Sequence, residues 1–196
     1  MLNDKLKNYH IILASSSPRR QSFFKDLGIE FEIRIKPVKE EYPPSLRHFE
    51  ISDYLSQLKA LPFKNELLLN EILITSDTIV WHNNQALGKP VNAVAAINML
   101  KSINNTTHEV ITSVCFTTKT RQKTLNNVTK VTFKNLTDEE IHYYVDTCKP
   151  FDKAGAYGIQ EWIGQIGVTK IEGSYFNVMG LPLHLVYKTL NDMVNY

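Results

Sequence analysis

An apolar run of Tyr9, Ile11, Ile12 and Leu13 passes directly into Ser15-Ser16-Ser17-Pro18-Arg19-Arg20, and this junction commits the chain to a strand, a turn and a helix. Pro18 has the fixed φ favoured at the first helical position. Phe23, Phe24 and Leu27 recur at helical spacing, and Gly28 supplies the stop. A helix start exposes unpaired N–H groups and the positive end of the dipole, where acidic residues are favoured. Arg19 and Arg20 reverse that rule, which suits an anion held by the serine hydroxyls, the backbone and charge-assisted guanidinium bonds. The plainer alternative is that Ser17 is an ordinary N-cap and both arginines are solvated.

Further along, Phe31, Ile33 and Ile35 alternate with charged residues, the period of a half-exposed strand ended by Pro37. Glu40 and Glu41 follow in a loop and read as solvated charges. Ile51, Leu55 and Leu58 mark one face of a helix from Phe49 to Leu61, closed by Pro62. Lys59 adjoins that face and reads as a snorkelling surface lysine. Asp77 then lies between two strand-like apolar runs, Ile72 to Ile74 and Ile79 to Trp81. A carboxylate there faces desolvation unless it is paired, hydrogen-bonded or on a metal, so it is either functional or an aspartate at a bulge joining two strands.

Asn83 and Asn84 predict a hairpin between Thr78–His82 and Gln85–Leu87. Lys89 in Gly88-Lys89-Pro90 is equally a phosphate contact or a solvated turn lysine, and no P-loop or dinucleotide glycine pattern occurs. Asn92 caps a helix through about Leu100. Two long β-rich runs, His108–Thr118 and Thr124–Phe133, predict an antiparallel pair. Thr137-Asp138-Glu139-Glu140 is a capping box for a helix with Ile141, Tyr144 and Val145 inward. In Phe151–Gln160, Gly155 and Gly158 let backbone approach a ligand or simply pack tightly, and Gln160 offers a donor and an acceptor to a base edge. A β-like run at Val168–Ile171 and a helix after Pro182 complete an α/β pattern in one domain spanning 1–196.

With 22 Lys and Arg against 20 Asp and Glu, the net charge of +2 excludes a global polyanion signal, so phosphate affinity must be local. The N-terminus lacks a signal-peptide core and no run reaches membrane-spanning length, which predicts a cytoplasmic protein. Cys115 and Cys148 suggest neither a disulfide framework nor a zinc site, and His108 is read as structural.

Taken in order, LASSSPRR, SDTIV, GKP, THEVIT, DKAGAYGIQ and GSYFNVMGLPL resemble the Maf family of nucleoside triphosphate pyrophosphatases over nearly the whole chain. The resemblance implies a mixed, strongly bent β-sheet flanked by helices, with two lobes and a central cleft, like inosine triphosphate pyrophosphatases. It implies hydrolysis between the α- and β-phosphates to a monophosphate and pyrophosphate with a divalent cation, Mg²⁺ or Mn²⁺. SPRR, the Asp77-Thr78 pair and DKAGAYGIQ look like the branch acting on dTTP and UTP, a house-cleaning role on pyrimidine nucleotides, whereas the 7-methyl-GTP branch tends to carry tryptophan at the position of Arg19 and glutamate at that of Gln160.

Carried over by position, Asp77 matches the proposed proton acceptor and Glu40 the loop carboxylate, and these two are the metal-binding candidates. Lys59 and Lys89 match site lysines, and Ser15, Ser17 and Arg20 match the phosphate-binding turn. Arg19, Thr78 and Gln160 match positions tied to base selectivity. Two departures stand out: Lys39 replaces a common aspartate before Glu40, with Glu41 able to compensate, and Ser76 replaces a small residue before Asp77. The implied partner is a nucleoside triphosphate, without nucleic acid polymer or membrane, and a homodimer is compatible with this. Two other functions fit the same resemblance: a nucleotide-binding regulator of septum formation without turnover, and the same chemistry on a modified purine nucleotide such as 7-methyl-GTP.

Overall fold

The computed structural model describes residues 1–194. The elements run α1 (Leu2–Leu6), β1 (His10–Leu13), α2 (Pro18–Asp26), β2 (Glu32–Ile33), α3 (Phe49–Ala60), β3 (Glu71–His82), β4 (Gln85–Leu87), α4 (Ala93–Ile103) and β5 (Thr107–Thr117). They continue with β6 (Gln122–Phe133), α5 (Asp138–Cys148), α6 (Trp162–Gly167), β7 (Val168–Glu172), α7 (Tyr175–Val178) and α8 (Leu183–Met193). One seven-stranded sheet has the order β2-β1-β3-β5-β6-β7, with β4 on β3. It is mixed: β1 pairs parallel with β2 and β3, whereas β4 and β7 pair antiparallel with β3 and β6. No helix among the described residues is long and apolar enough to cross a membrane.

Two compact units divide the chain, the first made of residues 1–77, 112–127 and the segment from Gly180 onward, the second of 78–111 and 128–179. In the first, Ile12, Leu73, Ala60, Phe63, Leu67 and Cys115 form a buried cluster, which explains why β1 and the first half of β3 are apolar without alternation. In the second, Val80, Leu100, Val110, Val131, Phe133, Ile141 and Tyr144 are among the buried residues that bring α4 and α5 onto the strands.

Local signals perform as expected. The Asn92 side chain accepts from Ala95 N at the start of α4, and the Thr137–Glu140 box is closed in both directions at α5. The predicted hairpin forms with Val80 opposite Leu87, and Gly28 ends α2 at φ +66°. Three short helices, α1, α6 and α7, were not expected, because four to six residues carry too little periodicity to register.

One expectation is corrected. The Phe31–Ile35 strand shrinks to two residues, and Ile33 and Ile35 point outward, 46% and 54% exposed. The charged partners of the alternation decide the face: Arg34 bonds Glu32 at 2.9 Å and the buried Glu71 at 3.1 Å, and Glu32 also meets His10 at 2.7 Å. Donation by Arg34, then by His10, holds the Glu32 carboxyl down to about 2. Asp77 lies within the twelve-residue strand β3, which carries both apolar runs.

His108 is structural. Its Nε2 and the Tyr157 hydroxyl lie 2.8 Å apart, and its ring stacks on Phe133 with centroids 5.6 Å apart. Burial, with a smaller contribution from the His82 charge, pushes the imidazole down to about 3. The unfolded chain, with an ordinary histidine near 6.5, therefore binds a proton that the folded chain refuses. This contribution to stability is complete above about pH 6.5 and is lost as pH falls toward 3. Denaturant titrations between pH 7 and 4 are expected to show stability falling with acidity, and His108→Gln should flatten that slope by up to about 1.4 kcal/mol per pH unit. Parallel slopes for both proteins would exclude His108 as the coupled group.

Candidate active site

The geometry centres on Lys59, in the last turn of α3. Its ammonium donates to Asp77 Oδ1 at 2.7 Å and lies 3.2 Å from Glu40 Oε1. The side chain of Asp77 is 8% exposed, that of Lys59 18% and that of Glu40 44%. The surface reading of Lys59 and the purely solvated reading of Glu40 are thus replaced by one cation shared between two carboxylates. Removing one member of such a pair at low exposure costs about 3–5 kcal/mol, because a charge is left uncompensated.

Sequence reasoning missed the residue that sets this geometry. Thr75, two positions before Asp77 on the same face of β3, donates its hydroxyl to the Ser56 carbonyl at 2.7 Å. That bond ties α3 to β3 one turn before Lys59. A hydroxyl inside the apolar run Leu73-Ile74-Thr75 was the available signal.

Beside this group lies the serine turn. Ser17 caps α2, its Oγ accepting from Arg20 N at 3.5 Å, and Ser15 Oγ accepts from Ser17 N at 3.2 Å. The Arg20 side chain turns back along the fold, its Nε donating to the Gly180 carbonyl at 2.8 Å and its Nη1 to the Ser76 carbonyl at 2.9 Å. Burial pulls the guanidinium below the ordinary arginine range, the charges of Asp77 and Glu40 oppose that, and Arg19 adds to it. Arg20 therefore braces the backbone next to Asp77, with Asp77, Glu40 and Arg19 all within its electrostatic reach. Arg19 itself is half-buried at the same helix start.

Both sequence departures have a structural outcome. Lys39 forms an exposed pair with Glu41 at 2.6 Å, so Glu41 does not join Lys59. The Ser76 hydroxyl is buried and makes no hydrogen bond among the described residues, leaving Asp77 to Lys59.

The remaining candidates belong to the second unit. Thr78 is half-buried on β3, Lys89 is exposed in the turn after β4, and Gln160 is half-buried. Lys89 makes no ion pair among the described residues. The two glycines of this region are closely packed: a Cβ on Gly155, at φ +68°, would come 2.7 Å from Val80, and one on Gly158 would come 2.7 Å from Glu161. The structure thus brings Ser15, Ser17, Arg19, Arg20, Glu40, Lys59 and Asp77 together in the first unit and holds Thr78, Lys89 and Gln160 in the second.

Glu40 and Asp77 also decide whether a divalent cation fits. They offer hard oxygen donors, and no group of three or more metal-binding side chains occurs among the described residues. Such a set suits Mg²⁺-type binding through one or two carboxylates completed by substrate phosphates, and not an all-protein cage.

Among solved structures, the Ham1 protein of Staphylococcus aureus superposes with a TM-score of 0.52 at 17% identity, covering 94% of this chain and 99% of that one, which is a likeness of fold. A relative from Flavobacterium johnsoniae named dTTP/UTP pyrophosphatase is 64% identical over 194 residues, 99% of this chain and 100% of that protein. One of the same name from Christiangramia forsetii is 58% identical over 195 residues, all of both chains. Residues 10–193 match the family described as Maf-like protein. With its mixed sheet, its serine-capped basic helix start and the carboxylates gathered on Lys59, the chain belongs to the Maf-like protein family.

Proposed function

We propose that this chain is a nucleoside triphosphate pyrophosphatase acting on dTTP and UTP in the cytoplasm, releasing the monophosphate and pyrophosphate, with residues 1–196 working as one domain. The observation that carries the reading is the Lys59 bridge between Glu40 and Asp77, in a chain 64% identical to a relative named for this activity. Asp77 is the acceptor for the proton of the attacking water, since its carboxylate on β3 is almost buried and held by the Lys59 ammonium. Lys59 supplies positive charge where the phosphates gain negative charge in the transition state. The N–H groups and hydroxyls at the start of α2, with Arg20, receive phosphate oxygens. Lys89, exposed and without an ion pair among the described residues, reaches phosphate as a point charge.

Thr78, Arg19 and Gln160 read the base, and the side chain of Gln160 makes no hydrogen bond among the described residues. Glu40 and Asp77 would hold a divalent cation, Mg²⁺ or Mn²⁺. When bound, that cation supplies Lewis-acid charge neutralisation on the phosphates. Neither a nucleic acid polymer nor a membrane enters this reading.

Purified protein incubated with a panel of nucleoside triphosphates and Mg²⁺ or Mn²⁺ is expected to release pyrophosphate from dTTP and UTP. No pyrophosphate from any pyrimidine nucleotide would defeat the assignment. Asp77→Asn should lower kcat by about a hundredfold or more, the range of a lost general base, while UTP binding in calorimetry persists. Chelation of divalent ions should abolish turnover, and Mg²⁺ or Mn²⁺ should restore it. Activity indifferent to chelator would remove the cation from the reading.

A further inference from the structure

The segment from Lys153 to Glu161 is fixed repeatedly inside the second unit. Lys153 is buried, its ammonium 2.7 Å from Asp152 Oδ1 and 3.0 Å from Glu161 Oε1. Gly155 N donates to the Gly88 carbonyl at 3.1 Å, and the Tyr157 hydroxyl meets His108 Nε2. The Tyr144 hydroxyl, reaching in from α5, accepts from Gly158 N at 3.0 Å and donates to Glu161 Oε2. Burial, and then the bond to Glu161, push the Tyr144 phenol above the ordinary tyrosine range, so this hydroxyl keeps its proton as a standing donor.

Glu161 is where the arrangement departs from local expectation. It is the N-cap of α6, yet its side chain makes no capping bond and is committed to Tyr144 and Lys153. On the other side of Gln160, Ile159 is pinned by its backbone: a Cβ at Gly164 would come 2.0 Å from the Ile159 carbonyl oxygen, a distance only glycine permits. Both chain neighbours of Gln160 are thus closely held, Glu161 by its side-chain bonds and Ile159 by the packing of its carbonyl against Gly164. Gln160 is the one polar side chain of the segment that makes no hydrogen bond among the described residues.

We propose that Tyr144, Glu161 and Lys153 form a clamp of positioning residues that presents the Gln160 carboxamide to the nucleobase and so sets base preference. This rests on the reading of Gln160 as a base selector given above. None of the three needs to touch the nucleotide. The clamp acts by fixing the backbone from Gly158 to Glu161 before substrate arrives, so that no ordering cost falls on the bound state.

The test compares kcat/KM for UTP and GTP in the parent, Tyr144→Phe, Glu161→Gln, Gln160→Ala and the double variant Tyr144→Phe/Gln160→Ala, with amide hydrogen exchange across Gly158–Gln160. Tyr144→Phe is expected to speed exchange of the Gly158 amide about tenfold or more and to reduce the UTP-over-GTP preference about tenfold, the size of one good hydrogen bond. The loss should fall on KM for UTP with kcat largely kept. In the Gln160→Ala background, Tyr144→Phe should change preference no further.

Glu161→Gln, which keeps shape and removes the charge, should move preference the same way and covers the case in which Tyr144→Phe fails to fold. Equal losses on UTP and GTP, or unchanged preference in both clamp variants while Gln160→Ala shifts it, would overturn the clamp alone. Unchanged preference in Gln160→Ala would overturn the selector reading and the clamp with it.

Discussion

A single ammonium placed between two carboxylates is the constraint on which the first unit turns. Lys59 is neither on the surface nor in the core, and it stays in that intermediate layer because Asp77 and Glu40 both accept its charge. Its position follows from elements that answer to other demands. The apolar strand β3 brings Asp77 inward, Thr75 ties α3 to that strand, and Arg20 holds the carbonyl of Ser76 immediately before the aspartate. The desolvation of Asp77 is offset by the Lys59 ammonium that donates to it, with the charge of Arg20 also acting favourably on it. A chain assembled this way commits its charges before any ligand is present.

The basic helix start, proposed above to receive phosphate, also stabilises the fold itself. Arginines in a first turn oppose the helix dipole, and the structure shows where part of the compensation comes from: the Arg20 guanidinium donates to two carbonyls, and the charges of Asp77 and Glu40 act on it favourably. The serine hydroxyls likewise stabilise the turn, one as a cap and one as an acceptor inside it. The same residues read from sequence as anion donors are therefore also what keeps the turn in shape, and the two roles are compatible because a helix start has more N–H groups than its own caps satisfy.

What the sequence disclosed and what it hid divide by range. The cap at Asn92, the box at Thr137, the stop at Gly28 and the turn at Asn83-Asn84 rest on chemistry within four residues, and each is found as expected. The ordered motifs carried the family and the mixed sheet. Lys59 looked like a surface lysine because its partners lie 18 residues ahead on β3 and in a loop before its own helix. Ile33 and Ile35 looked inward because periodicity counts apolar residues, whereas here the ion pairs of Glu32 and Arg34 with His10 and Glu71 decide the face. Glu161 gave one faint local sign, a carboxylate between Gln160 and Trp162 in an otherwise apolar and glycine-bearing stretch. Its partners on α5 and at Lys153 could be named only once the chain was folded.

The close approach of Gly164 to the Ile159 carbonyl has a bearing on how this protein can vary. A side chain at 164 would push on the backbone one residue before Gln160, although 164 lies in a helix and carries no functional group. Sequence drift in the glutamine loop is therefore not free to proceed by itself. The loop and the first turn of α6 are coupled through this contact, so a change of residue at 160 leaves the demand for a glycine four positions later in place.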